Sequence, residues 1–539
     1  MGAPGSGRTL RLVPDPTSAA RATRYGLPRT EQEVTVANDV RIGEGIDPRT
    51  PVVIGVGQHL QRTDRGADPL EPLDLMDEAL RAAAADTAAG AGTAGVLGRA
   101  DVVAVVPVIS WGYRDPGRLL AERYGADAVT WYPSMGGNTP QMLLNRLAAA
   151  ITAGDADLGV VVGGEAYRTR MAAKRAGGRP EWTVQPEEVR ADWDEGGTFS
   201  FGHPAEFAVG IAMPTQAYPL FETALWHDSG RSLAEHLGFV GGMWSRMSQV
   251  AADNPFAWRR EALTPAELTT PTAENRIVGF PYTKRMVANP DVDMAAGVIV
   301  CSAERARSLG VPTDRWVFVH AGTDGVDRVM SERRDLVSSP AIGVAGNLAL
   351  ELAGTGIDDV AHLDLYSCFP SAVQLACREL GVDPDRQLTV YGGLPFAGGP
   401  WNNPVSHALA SMVGVLREDP GSTGLVTANG GNVDKHAFGV YSTTPPAGGF
   451  RHARPQDRID AVPGRTVLDG HRGTATVEGW TVMHERDGTP QRAHAACTTA
   501  DGQRVWATSH DPDVMARFES TDVGGTTVEV DGNELRLAD

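Results

Sequence analysis

The chain has 539 residues, of which 42% are hydrophobic and 21% are charged, so it is too long for one simple domain and can bury a large core. Its formal net charge of -19 argues against nonspecific binding to nucleic acid or to anionic membranes, because both need a basic surface. A local basic pocket can still coexist with this acidic exterior. Four widely spaced cysteines without a Cys-x-x-Cys pair argue against a zinc site and a disulfide framework, so we expect no metal and a cytoplasmic location.

Residues 1–50 are rich in Arg, Pro, Gly and Thr without sustained periodicity, and we interpret them as an N-terminal extension. From residue 51 strand-like and helix-like stretches alternate, which predicts a mainly parallel sheet covered on both faces. The predicted strands are 52–57, 101–108, 128–132 and 158–164, and the predicted helices include 73–85, 118–124 and 141–153.

Residues 179–284 interrupt this alternation with helical pieces, proline-marked turns and several tryptophans. We interpret them as an inserted loop domain whose tryptophans form the aromatic core of a lid. These are Trp182, Trp193, Trp226, Trp244 and Trp258.

The alternation then runs a second time, after a strand at 295–301 that closes the first half. The second set of predicted strands is 316–321, 360–366, 387–391, 422–428 and 437–442, and the helices between them include 340–353, 371–380 and 405–416. Two copies of one pattern indicate an internal duplication, with a first half of 51–178 and 285–313 and a second half of 314–445.

Beyond a link rich in proline and glycine, the hydrophobic period changes to two. Strands are predicted at 474–483, 492–498, 504–508, 526–530 and 534–537, and Asp-Gly pairs mark hairpins between them. Residues 459–539 are therefore predicted to form a separate small antiparallel β domain, barrel-like and similar to an OB-fold.

The segment 131–141 carries the clearest chemical signal, because a strand ends, a glycine turn follows and an apolar helix begins. Thr139 or Asn138 is expected to cap that helix, with Pro140 at its first position. Amide N–H groups and the positive end of the helix dipole then face whatever lies above the turn. Such a turn suits an oxyanion or a nucleophile, although a plain strand–helix connection would look the same.

The segment 136–141, Gly-Gly-Asn-Thr-Pro-Gln, and the apolar strand after its helix resemble the nucleophile helix Cys-x-Ser-Gly-x-Gln and the following strand of thiolases. Further similarities follow in the family's order at 291–311, at 392–404 and at 429–431. Within that superfamily the chain is most similar to type 1 thiolase-like proteins, labelled acetyl-CoA acetyltransferases, in 275–284 and 435–442. The resemblance implies a duplicated α/β fold of five layers, αβαβα, and an additional C-terminal β domain.

The departures from the family pattern are as informative as the matches. Gly136 stands where the resemblance places the nucleophilic cysteine, and glycine cannot form an acyl-enzyme. The activating histidine becomes Asn403, and the acid–base cysteine becomes Ala428. Tyr366 and Cys368 stand where related thiolases carry His-Asp-Cys-Phe. Ordinary thiolase activity is therefore not expected.

Several residues are candidates for replacement chemistry. Tyr366 resembles the tyrosine of thiolase-like aldolases, which cleave β-hydroxyacyl-CoA and need a base and enolate stabilisation but no acyl-enzyme. His407 and His436 are candidate proton carriers, with a cap or a surface histidine as the alternative for each. Cys368 is either a replacement nucleophile or a packed apolar residue. The candidate substrate-binding residues are Gly136, Gly137, Asn138, Thr139, Gly430 and Gly431, with Lys284 as a charged group for coenzyme A phosphates.

The resemblance therefore implies a protein that acts on acyl-CoA thioesters, by aldol-type or nonstandard acyl-transfer chemistry. The alternatives are a degenerate thiolase that binds acyl-CoA or a partner without turnover, and a protein whose β domain is the functional surface. We expect acyl-CoA as substrate or ligand, no other cofactor, and no nucleic-acid or membrane partner. A homodimer and a monomer both stay open.

Overall fold

A computed structural model of the chain describes residues 46–63, 66, 68–194 and 202–537. The predicted N-terminal extension, residues 1–50, lies outside the described residues except for its last five positions. Among the described helices, none combines the length and the apolarity needed to cross a membrane.

The first part of the chain alternates strands and helices as predicted. Its elements are β1 (Pro51–Leu60), α1 (Pro72–Asp86), α2 (Gly92–Leu97), β2 (Val102–Val105), α3 (Pro116–Tyr124), β3 (Val129–Trp131), α4 (Thr139–Ala153), β4 (Leu158–Ala166) and α5 (Tyr167–Arg175). Glycine in the left-handed conformation ends both α3 (Gly125) and α4 (Gly154), as glycine does at many helix C-termini.

The inserted segment is mainly helical, with one short hairpin. Its elements are α6 (Pro204–Ala208), α7 (Pro214–Ser229), α8 (Leu233–Asp253), α9 (Pro265–Thr269), β5 (Ile277–Gly279) and β6 (Tyr282–Thr283). Trp226 and Trp244 are buried, as expected of an aromatic core. Trp193 instead packs edge to face on Trp131 of β3, with ring centroids 5.6 Å apart.

The second half follows a long buried strand. Its elements are β7 (Asp293–Ser302), α10 (Ala303–Ser308), β8 (Val317–Val326), α11 (Asn347–Ala353), β9 (His362–Asp364), α12 (Pro370–Leu380), α13 (Pro404–Glu418), β10 (Thr423–Gly430), β11 (Lys435–Ser442) and β12 (Arg451–Ala453). The predicted strand 387–391 is wrong, because this segment forms no strand. Its Val390 and Tyr391 amides donate instead to the Asp364 carboxylate, at 3.0 and 3.1 Å.

Four strands of each half share one order, with β3 as an additional edge strand of the first half, which confirms the duplication. The first half runs β3-β2-β4-β7-β1 and the second runs β9-β10-β11-β8, so each ends with its first strand beside its last. In both halves the last strand, β7 or β11, is antiparallel to its neighbours. A short antiparallel pairing between β1 and β8, Val52 with Phe318 and Val53 with Val317, joins the halves.

Helices α4 and α13 lie between the two sheets. One apolar core contains their buried side chains together with residues from β4 and β7 of the first half and from β10 and β11 of the second. A second core lies under α1 to α3 on the outer face of the first sheet, and a third lies under α12 and the inserted helices. Helices therefore cover the outer face of each sheet and fill the space between the sheets, which gives the predicted five layers.

The C-terminal region forms a closed five-stranded barrel. Its elements are β13 (Val467–Leu468), β14 (Arg472–His484), β15 (Pro490–Thr498), β16 (Arg504–Ser509), α15 (Pro512–Ser520), β17 (Thr527–Asp531) and β18 (Glu534–Leu537), preceded by α14 (Gln456–Asp460). Pairing runs β14-β15-β16-β18-β17 and returns to β14, and β16 and β18 are parallel. This order is that of an OB-fold, and closure leaves no long exposed edge. The helix α15 was not predicted.

Candidate active site

The glycine turn before α4 is held by backbone bonds. Thr139 N donates to Gly136 O at 3.0 Å, and Met142 N donates to Asn138 O at 3.1 Å. The predicted side-chain cap is wrong: Thr139 Oγ1 donates to Ser134 O at 3.2 Å, and Asn138 makes no capping bond. Asn138 Oδ1 is buried and has no hydrogen-bond partner among the described residues.

Residues of the second half pack directly onto this turn. A Cβ atom added at Gly137 would overlap the Tyr366 hydroxyl and Asn429 O and would lie 2.8 Å from Tyr366 Cζ. A Cβ atom at Gly430 would lie 2.5 Å from Asn138 Oδ1 and 3.1 Å from Gly136 Cα. Glycine is therefore required at Gly137, where a Cβ would meet backbone and the Tyr366 ring, and is favoured at Gly430, and the structure brings Tyr366 to the predicted turn.

A chain of hydrogen bonds through buried polar side chains fixes the position of α4 along β11. Tyr441 OH donates to Gln141 Oε1 at 2.9 Å, and Gln141 Nε2 donates to Asn145 Oδ1 at 2.8 Å. Asn145 Nδ2 then donates to Phe438 O at 3.2 Å. Because Gln141 and Asn145 are fully buried, these bonds satisfy side chains that would otherwise destabilise the helix.

Lys435 is a charged residue beside the turn that the sequence argument did not single out. Its Nζ donates to Met135 O at 3.3 Å, and its Cδ lies 3.7 Å from the position of a Cβ at Gly136. Side chains alternate along a strand, so Lys435 and Gly439 of β11 share the face toward α4. That alternation is the signal that could have identified it.

A second residue missed from the sequence is Tyr218 of α7, which reaches the site from the inserted segment. Its hydroxyl donates to Gly431 O at 3.1 Å and accepts from Asn429 Nδ2 at 3.0 Å. Asn429 Nδ2 also lies 3.9 Å from Cys368 Sγ. The ring of Tyr218 stacks on Phe369, with centroids 4.3 Å apart.

Burial keeps the acidic groups of this cluster protonated. Loss of solvation raises the pKa of Tyr366 well above 10, and the neighbouring Cys368 raises it further. Burial likewise raises the pKa of Cys368 to about 12. At neutral pH Tyr366 is therefore a proton donor and Cys368 a neutral thiol, which does not attack as a thiolate does.

Asn403 lies in a different group of buried polar residues, at the start of α13. Its side chain packs against Gly163 of β4, and neither Oδ1 nor Nδ2 has a partner within the described part of the chain. Three nearby atoms are likewise buried without a hydrogen-bond partner among the described residues: Trp401 Nε1, Ser406 Oγ and His407 Nε2. Buried polar atoms without partners in a native fold indicate room for a water or a polar ligand.

The structure does not bring the two predicted histidines to Tyr366. His407 Nδ1 lies 2.8 Å from Gln58 Oε1, its ring stacks on Tyr391, and burial lowers its pKa to about 3. His436 is adjacent to Lys435 on β11 and therefore points to the opposite face of the sheet. There its Nε2 lies 2.9 Å from Val433 O, and burial lowers its pKa to about 4.

The remaining predicted binding residues, Gly431 and Lys284, lie in different parts of the structure. Gly431, with φ of 64°, closes the turn after β10 and accepts the Tyr218 hydroxyl. Lys284 is exposed at the start of a 3-10 turn, Lys284–Met286, and its backbone N donates to Arg276 O at 2.9 Å. Lys284 therefore lies with the inserted hairpin rather than with the glycine turn.

Comparisons with known proteins agree with this architecture. Residues 455–534 match the thiolase-like protein type 1 additional C-terminal domain. A monomeric SCP2-thiolase like protein type 1 from Mycobacterium smegmatis is 31% identical, with a TM-score of 0.77 over 92% of this chain and 100% of that chain. The Ltp2-ChsH2(DUF35) aldolase shares the fold, with a TM-score of 0.56 and 18% identity over 74% of this chain and 98% of its own.

One curated relative, acetyl-CoA acetyltransferase 1 of Arabidopsis thaliana, is 30% identical over 141 residues, which cover 26% of this chain and 32% of the relative. The alignment thus spans about a third of that protein. The Mycobacterium smegmatis structure, in contrast, is matched over its whole length. Together with the matched C-terminal domain, this similarity shows that the chain belongs to the type 1 thiolase-like proteins of the thiolase superfamily.

Proposed function

We propose that the protein acts on acyl-CoA thioesters through aldol-type carbon–carbon chemistry that needs no acyl-enzyme. The observation that carries this proposal is the position of the Tyr366 hydroxyl, which touches the glycine turn at the N-terminus of α4. At Gly136, where the family resemblance places a cysteine, there is no side chain to hold an acyl group. A proton donor at a helix N-terminus is suited instead to a reaction that passes through an enolate.

In such a cleavage the β-hydroxyl loses its proton, the bond between the α and β carbons breaks, and the electron pair moves into the thioester enolate. The first turn of α4 leaves amide N–H groups without intrahelical partners, and these would stabilise the enolate oxygen. Tyr366 would deliver its proton to the α carbon and would be reprotonated by the proton that the β-hydroxyl releases to water, so the two proton transfers balance. The products are a carbonyl compound and a shortened acyl-CoA, and the net reaction consumes no proton.

Binding of acyl-CoA without turnover is the second candidate, and one observation favours it. His407 contacts Gln58 and His436 contacts Val433 O, and burial lowers the pKa of both, so neither is a strong base for the hydroxyl proton. An aldolase with this fold supports the first candidate only at the level of the fold. The relative described as monomeric supports a monomer for this chain.

Turnover assays separate the two candidates. Purified protein is incubated with acetyl-CoA, acetoacetyl-CoA and a series of β-hydroxyacyl-CoA thioesters, and the products are identified by mass. We expect aldehyde or ketone release that Tyr366→Phe abolishes while coenzyme A affinity is retained. The matched control is Tyr124→Phe, which removes a hydroxyl bonded to Asp77 on the outer layer.

Two results would count against the aldol reaction. Coenzyme A binding with no carbonyl product from any thioester would leave the binding function alone. Product formation that survives Tyr366→Phe but not Cys368→Ser would instead make the thiol the reactive group.

A further inference from the structure

A cavity of about 590 Å³ opens beside Met135, the residue immediately before Gly136. Its wall is built by the loop after β2 and by α5 with the segment that follows it. The lining residues that matter here are Val108, Ile109, Trp111, Arg170, Lys174 and Arg179. The cavity therefore combines an apolar wall with three cationic side chains.

The three cations, Arg170, Lys174 and Arg179, form no ion pair with a carboxylate among the described residues, although Arg170 interacts electrostatically with the buried Glu165. Arg170 Nη1 donates to Ile109 O at 3.1 Å, and the Arg179 guanidinium lies 4.5 Å from the centroid of the Trp111 ring. Both contacts hold the side chains in place without forming an ion pair.

One carboxylate, that of Glu165, lies buried behind this wall. Glu165 accepts hydrogen bonds from the amides of Ile109 and Ser110, each at 2.7 Å, and is fully buried. Burial raises its pKa to about 7, with Arg170 acting in the opposite direction. A concentration of positive charge in one cavity stands out on a chain whose net charge is -19.

We propose that this cavity binds the phosphate groups of coenzyme A. The inference rests on the proposed function for the identity of the ligand, since Met135 places the cavity next to the turn that would hold the thioester. Three cations and this volume exceed what a single carboxylate requires, and guanidinium groups match phosphate geometry. Exposed Lys284, the phosphate contact predicted from the sequence, is not part of this cavity.

The test compares a cavity variant with a matched surface variant. The first combines Arg170→Gln, Lys174→Gln and Arg179→Gln, and the control is Arg175→Gln, an exposed cation in α5 outside the cavity lining. Calorimetry measures the affinities for coenzyme A, 3′-dephospho-coenzyme A, inorganic pyrophosphate and pantetheine, at low and high salt.

We expect the triple variant to weaken coenzyme A binding at least about tenfold, since each charge-assisted contact to phosphate contributes substantially. Pantetheine affinity and the Arg175→Gln control should change less than about twofold. Wild-type binding should also weaken as salt increases. A loss for coenzyme A but not for the dephospho form would assign the cavity to the 3′-phosphate, and a loss for both to the pyrophosphate.

Equal coenzyme A affinities for the triple variant and the wild type would overturn the proposal, as would an equal loss of pantetheine binding. Absence of binding by the wild type to both coenzyme A and pyrophosphate would also refute it. Because these readouts measure binding, they separate this inference from the aldol proposal. A wild type that binds coenzyme A through the cavity but releases no carbonyl product would contradict only the reaction.

Discussion

Replacing Gly137 with alanine should destabilise the protein far more than the same change at Gly136. At Gly137 the new Cβ would overlap the Tyr366 hydroxyl and the backbone oxygen of Asn429. At Gly136 its nearest neighbour would be the Asn138 side-chain amide, which can rotate away. Neither glycine has a positive φ, so backbone strain does not distinguish the two sites.

The magnitude follows from what must move. Asn429 belongs to β10 and is paired with His436 of β11, so its carbonyl cannot withdraw without disturbing that pairing. Overpacking of this kind costs about 1–3 kcal/mol. The loss of backbone freedom in the unfolded chain stabilises both variants by about 0.4–1 kcal/mol and cancels in the comparison. We therefore expect Gly137→Ala to be less stable than Gly136→Ala by about 1–3 kcal/mol.

The assay is chemical denaturation of both variants and of the double variant Gly137→Ala with Tyr366→Phe, followed by tryptophan fluorescence. Removal of the hydroxyl should recover only part of the loss, because Asn429 O and the Tyr366 ring stay in place. Equal stability of the two glycine variants would refute the packing described for this turn. Full recovery in the double variant would show that the backbone contact with Asn429 is unimportant.

Two further predictions concern buried titratable groups. Burial lowers the pKa of His407 from 6.5 to about 3, so the unfolded chain binds a proton there that the folded chain does not. Protonation of the unfolded chain therefore destabilises the folded wild type increasingly as the pH falls from 6.5 toward 3. His407→Gln lacks this effect, so its stability relative to wild type should rise as the pH falls over that interval in denaturation curves. A pH-independent difference would contradict it. The thiol prediction is that all four cysteines, which are buried, react with an aromatic disulfide reagent at pH 8 only after unfolding. Burial raises the pKa of Cys368 and Cys377 to about 12, and a rapidly reacting native Cys368 would restore the nucleophile hypothesis.

The fold was largely determined by local pattern. Alternating strands and helices, the repetition of that series and the change to period two near residue 465 predicted the covered sheets, the duplication and the barrel, whereas the resemblance to thiolases implied the five layers. The local pattern predicted a strand wrongly where a side chain, and not a neighbouring strand, accepts the backbone hydrogen bonds. Residues 387–391 have the composition of a strand, but the carboxylate of Asp364 takes their amide hydrogens.

The candidate site was likewise only partly predictable from the sequence. The sequence alone determined the glycine turn, the apolar helix behind it and the absence of a cysteine at Gly136. Only the tertiary structure decided which side chains face that turn. Lys435 and His436 are adjacent in sequence, yet strand alternation turns one toward Gly136 and the other away. Tyr218, on an inserted helix, reaches Gly431, more than two hundred residues later in the chain, and such contacts depend on packing that no local pattern encodes.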